Sequence, residues 1–129
     1  MIPLIPTRIH GMLDYAMGLL LMLSPWMFGF AANGPETWIP VTLGAGAIVY
    51  SLLTAYELGA ARVIPMNLHL VFDAVAGALL AVSPWVFNFS HYVWVPHVVL
   101  GLLEIGAALM TDPRPRSVPG AEAPLPMVD

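Results

Sequence analysis

The sequence predicts an all-α membrane protein: four transmembrane helices from two tandem helical hairpins, related by a pseudo-twofold axis along the membrane normal. Three observations predict it. First, the chain of 129 residues is 59% hydrophobic and 9% charged, with a mean hydropathy of +0.82; an ordinary soluble domain carries roughly 25% charged residues. Second, apolar runs of membrane-spanning length occur four times. Third, the first run recurs 59 positions later with its polar residues in place.

The composition excludes several classes. Disorder needs high charge and few apolar residues, and a soluble globule needs a surface covered in charged side chains. Four Arg and a net charge of −4 offer no basic face to nucleic acid. Without Cys there is no disulfide framework, thiolate metal site or thiol nucleophile. The Walker A, Rossmann and His-Glu-x-x-His motifs are absent.

The spans fall at residues 9–30, 38–58, 67–89 and 93–111. Turn chemistry separates them: Asn33-Gly34-Pro35, the 59–65 stretch and Ser90-His91-Tyr92. Lipid offers no partner to a backbone N–H or C=O, so each span is expected to be a helix; the alternation of a membrane barrel is missing. The domain plan is a short cytoplasmic N-terminus (1–8), a first hairpin (9–58), a second hairpin (67–111) and a tail (112–129). Pro113, Pro115, Pro119, Pro124 and Pro126 deny the tail a helix, and it is expected to be a disordered cytoplasmic segment.

Arginine placement orients the chain. Arg8 precedes the first span, Arg62 lies between the second and third, and Arg114 and Arg116 follow the fourth. With four spans these positions share one side, which the positive-inside rule makes cytoplasmic. A signal peptide ending near Gly29-Phe30-Ala31 is the competing reading of the first span. Against it, Asp14 would interrupt the apolar core, and the same segment recurs mid-chain.

The repeat is legible residue by residue. Residues 10–30 read HGMLDYAMGLLLMLSPWMFGF and residues 69–89 read HLVFDAVAGALLAVSPWVFNF; 10 of 21 positions match, among them His, Asp, Gly, Ser, Pro and Trp. The second spans share Trp38/Trp94 and Pro40/Pro96 at an offset of 56. Two spans per unit give both copies one orientation, which sets the axis along the membrane normal. Ser24-Pro25-Trp26 and Ser83-Pro84-Trp85 resemble the signature of the SPW-repeat family, small and mostly bacterial integral membrane proteins whose repeat has two transmembrane helices. The resemblance covers 9–111. It implies a location in the bacterial cytoplasmic membrane and an architecture, but no activity and no catalytic residues.

Proline lacks an N–H and crowds the carbonyl four residues back, Leu21 or Leu80, so each helix must kink or end there. Ser before Pro also reads as an N-cap with Pro at the first helical position. Trp26, Phe28, Phe30 and Trp85, Phe87, Phe89 alternate, which suits a chain leaving the membrane through its aromatic belt. A ligand-lining aromatic cleft is the alternative.

His10, Asp14 and Gly18 are spaced i, i+4, i+8, as are His69, Asp73 and Gly77, so each set lies on one helix face. Asp in lipid is costly and should face protein, while glycine admits a close helix. The expectation is that spans 1 and 3 meet near the axis, Gly18 opposite Gly77, with two His and two Asp converging. Interhelical hydrogen bonding is the structural reading of this cluster. The functional readings are a divalent metal such as zinc, a proton relay, or haem held by His10 and His69. Glu104 breaks the repeat, its counterpart at offset 56 being Ile48. It shares a face with His97 and is expected about 15 Å into the bilayer by helical rise. It is either a functional acid or bonded to Tyr50, Ser51 or Thr54. Gly44, Ala45, Gly46, Ala47 and Ser51 serve hairpin packing or self-association.

The function expected is therefore a small non-enzymatic membrane protein, structural or accessory. A proton or metal site on His10, Asp14, His69, Asp73 and Glu104 is the alternative, and a redox subunit with haem or quinone the second. No catalytic residue and no resident cofactor are expected, haem and zinc being the alternatives. The partners are lipid and either a second copy or a larger membrane complex.

Overall fold

In a computed structural model, residues 4–114 are described. The four apolar runs become four helices: α1 (Thr7–Met27), α2 (Pro35–Leu52), α3 (Met66–Val86) and α4 (Val95–Leu109). The described residues contain no strand, only the isolated bridges Ile5–Thr111 and Thr54–Ile64. The all-helical class and the two-hairpin order are as expected. By length and apolarity α3 alone could cross a membrane, and α4 is apolar but has 15 residues. The second helix stops at Leu52 rather than residue 58. There the chain turns back, Ala55 N–H donating to Ile64 O and Ile64 N–H to Leu53 O. The expected disorder of the tail concerns residues of which 115–129 lie outside the described ones.

The repeat governs burial. The buried positions of α1 are Thr7, His10, Gly11, Asp14, Gly18, Leu21, Ser24 and Pro25; those of α3 are Met66, His69, Leu70, Asp73, Gly77, Leu80, Ser83 and Pro84. Each pair is 59 apart, so one helical stripe is used twice.

Packing is closest within each hairpin, α1 on α2 and α3 on α4. A Cβ on Gly44 would sit 2.5 Å from the Gly18 carbonyl oxygen, and one on Gly101 2.5 Å from that of Gly77. The glycines therefore serve contact inside a hairpin, and Gly18 does not face Gly77: the bare stripe of each helix is taken by its own partner. These contacts also correct the register of the second helices. Gly44 matches Gly101 and Thr54 matches Thr111, an offset of 57, so the counterpart of Glu104 is Ala47 rather than Ile48. The Trp and Pro pairs at 56 sit at the helix entry, before the packed face begins.

The Ser-Pro-Trp segments end α1 and α3 by a mechanism repeated in both. Pro25 cannot donate to the Leu21 carbonyl, and the Ser24 hydroxyl donates to it instead at 2.8 Å; Ser83 does the same for Leu80 at 2.7 Å. Serine is thus not an N-cap here. It repairs the bond that proline removes, and the helix runs on for two residues. The stop comes from Gly29 (φ 72°) and Asn88 (φ 60°), left-handed residues of a Schellman turn in which Phe30 N–H donates to Pro25 O and Phe89 N–H to Pro84 O. The aromatic alternation then resolves: Trp26, Phe28, Trp85 and Phe87 are exposed, while Phe30 and Phe89 are buried.

At the opposite end the two ends of the described chain meet. Leu4 and Ile5 N–H donate to Met110 O, and Asp112 N–H to Ile5 O. Thr7 Oγ1 meets the Glu57 carboxylate of the 53–65 turn at 2.8 Å. Arg8, Arg62 and Arg114 are exposed at this end; Arg116 lies outside the described residues.

Candidate functional site

Four side chains cross the space between α1 and α3. His10 Nε2 lies 3.0 Å from Asp14 Oδ1 on its own helix and 2.8 Å from Asp73 Oδ2 on the other. His69 Nε2 lies 2.9 Å from Asp14 Oδ2 and 3.2 Å from Asp73 Oδ2. The imidazoles meet edge to face, centroids 5.6 Å apart. All four residues are buried or nearly so. The i,i+4 spacing brings each His beside its own Asp, and the second contact is made across the repeat. The sequence expectation of two His and two Asp converging is met, although the backbones of α1 and α3 keep apart.

A second ring of side chains fixes the first. Thr111 Oγ1 is 2.7 Å from His10 Nδ1, and Thr54 Oγ1 is 2.7 Å from His69 Nδ1. Each hydroxyl also donates to the carbonyl four residues back, Ala107 O or Tyr50 O, at 2.6 Å. A hydroxyl has one proton and a carbonyl can only accept. Each threonine therefore accepts from its histidine, whose Nδ1 carries the hydrogen. The Nε2 atoms are thereby aimed at the carboxylates. These threonines cross over: the first hairpin supplies Thr54 to His69, and the second supplies Thr111 to His10. Tyr56 donates to Asp14 Oδ2 at 3.0 Å and Tyr50 to Asp73 Oδ1.

The two flanks of this cluster differ. At the α2/α3 flank the Tyr50 ring packs on His69 and Phe72. At the α1/α4 flank the counterpart of Tyr50 is Ala107, and a cavity of about 440 Å³ opens. Leu13, Met17, Leu102 and Leu103 line it, with His10, Asp14, Asp73 and Glu104 as its polar wall. Glu104 therefore joins the cluster through a shared cavity. Tyr50 is committed to Asp73, Thr54 to His69 and Tyr50 O, and Ser51 Oγ has no hydrogen-bond partner; the expected bonds from Glu104 to these residues are not made. His97, placed on the Glu104 face by sequence, lies at the far end of the bundle. There it packs between Phe30 and Phe89, its Nε2–H donating to Glu36 O at 2.9 Å.

The sequence reading does not single out the threonine partners. Their signal was present: Thr54 and Thr111 match at the same offset of 57 as Gly44 and Gly101.

Fold and site define a class: a tandem-hairpin helical bundle in which each repeat contributes one His–Asp pair to a shared buried centre. The chain belongs to the SPW-repeat family, since the family model described as the SPW repeat domain matches residues 8–111. No curated protein and no solved structure matches it.

Proposed function

We propose that the chain is a four-span integral membrane protein of the cytoplasmic membrane, with a structural or accessory role and no enzymatic activity. One observation carries this reading: its polarity is inverted. Leu19, Val49, Val71, Val75, Leu102 and Leu103 are each more than half exposed, while His10, His69, His97, Thr54 and Thr111 are at most 1% exposed. Water would reverse that distribution, and lipid rewards it. The mean apolarity of α1 and α2 is lowered by residues that face inward. At 1.5 Å per residue, helices of 21, 18, 21 and 15 residues rise about 22–32 Å, against a hydrocarbon core of about 30 Å. Exposed Arg8, Arg62 and Arg114 at one end support cytoplasmic termini under the positive-inside rule, and Trp26 and Trp85 would then meet the outer interface.

In this reading the His–Asp cluster joins the hairpins alongside an apolar core that both share, Leu21 and Ile39 packing with Leu80, Phe89 and Leu100. The haem alternative does not fit, because the Asp14 and Asp73 carboxylates occupy the space between the two Nε2 atoms and leave no slot for a porphyrin. Membrane placement is tested by alkaline extraction and impermeant thiol labelling of single cysteines. The protein should stay with the membrane, with Gly34→Cys and His91→Cys labelled from outside and Arg62→Cys protected. Release into the alkaline supernatant, or the reverse labelling, overturns it.

A further inference from the structure

We propose that His10, Asp14, His69 and Asp73 form a binding site for one divalent transition-metal ion of borderline softness, zinc being the representative. One ligand atom from each residue lies within 4.8 Å of the other three. Four-coordinate zinc holds nitrogen and carboxylate oxygen at about 2.0–2.2 Å, which puts neighbouring ligand atoms about 3.3–3.6 Å apart. The nitrogen–oxygen separations of 2.8–3.2 Å, taken over both Asp14 oxygens, open to that by a few tenths of an ångström, and the wider pairs, within 4.8 Å, close to it.

Three observations make this more than a polar cluster. The first is His69 Nε2, fully buried and 2.9 Å from Asp14 Oδ2, yet without a hydrogen bond in line to any acceptor. A buried nitrogen whose only neighbours are out of line for a hydrogen bond is poorly satisfied, and a cation among the carboxylates would meet its lone pair. The second is the threonine pair. Metal-ligating histidine generally donates its other ring N–H to an oxygen, which fixes tautomer and ring orientation. Thr54 and Thr111 do this for both rings, while Tyr50 and Tyr56 donate to the two carboxylates. The third is charge. A divalent cation, two carboxylates and two neutral imidazoles sum to zero, as two imidazoliums and two carboxylates do, so the ion can replace two ring protons without leaving net charge in a low-dielectric interior.

The donor set selects the metal. Two imidazoles disfavour calcium and magnesium, which take oxygen ligands, and suit zinc and its first-row neighbours. The cavity between α1 and α4 supplies the entry path, with Glu104 beside it.

The test uses the full chain in detergent, stripped with chelator and titrated with Co²⁺. The expected result is one Co²⁺ per chain with intense visible d–d bands of a tetrahedral site, displaced by Zn²⁺. The bands should vanish in H69Q. T54V and T111V should each weaken binding about 10–100-fold at unchanged helix content. The proposal is overturned if the folded wild-type chain takes up neither ion, or if H10Q/H69Q binds as wild type does. Should the histidine variants fail to fold, the threonine variants decide: unchanged affinity in both overturns it.

Discussion

The two flanks of the bundle are built from the same repeat and end differently. On the α2/α3 flank, Tyr50 fills the space beside Asp73 and donates to it. On the α1/α4 flank, Ala107 stands in the equivalent place beside Asp14, Glu104 replaces Ala47, and a cavity of about 440 Å³ remains. The glycine crossings, the serine–proline helix ends and the threonine–histidine bonds are the same on both sides. Repetition therefore builds the scaffold, and two positions decide which side of the polar centre is reachable.

That contrast sets an order of consequences. Tyr50→Ala should cost about 3–5 kcal/mol, the usual range for emptying a packed aromatic site, and it also removes a donor from Asp73. The mirror change, Ala107→Tyr, should cost less than about 1 kcal/mol, below the usual penalty for overpacking, because the cavity receives the ring. Reversible unfolding in mixed detergent measures both; equal losses would remove the asymmetry.

Thr54→Val and Thr111→Val come next. Each strands one buried imidazole N–H, at about 1–3 kcal/mol. Because these bonds are the same on both flanks, the two losses should agree. A large loss at one and none at the other would mean that the pseudo-symmetry does not extend to the second ring of side chains.

Glu104→Ala should have the smallest effect, below about 1 kcal/mol, the centre of the usual range for point changes, because it removes no hydrogen bond. Its carboxyl borders the cavity, and no hydrogen bond to it is present among the described residues. A loss above about 1 kcal/mol would show that this acid supports the fold.

Much of this was legible in sequence because helical spacing is local. His10 with Asp14, and His69 with Asp73, needed only the period of a helix, and the offset of 59 needed only comparison of two segments. What could not be read is set by packing between distant segments. The contact of His10 with Asp73 spans 63 residues and that with Thr111 spans 101; no local pattern distinguishes them from an intrahelical pair. The glycine stripe meets the helix of its own hairpin rather than the other repeat, because a bare face says that a helix comes close but not which one. The offset of 56 from the Trp and Pro pairs missed the one-residue shift that puts Ala47, not Ile48, opposite Glu104 in the repeat. Ser24 and Ser83 mend the last turn instead of capping a new helix, and Ser before Pro carries both meanings in sequence.

The two hairpins are joined through side chains exchanged between repeats. A double-mutant cycle on His10 and Asp73, using H10Q, D73N and their combination in the folded full chain, measures that link directly. The structure predicts a coupling of at least about 1 kcal/mol, as for residues in one hydrogen-bonded network. A coupling indistinguishable from zero, with both single variants folded, would contradict it.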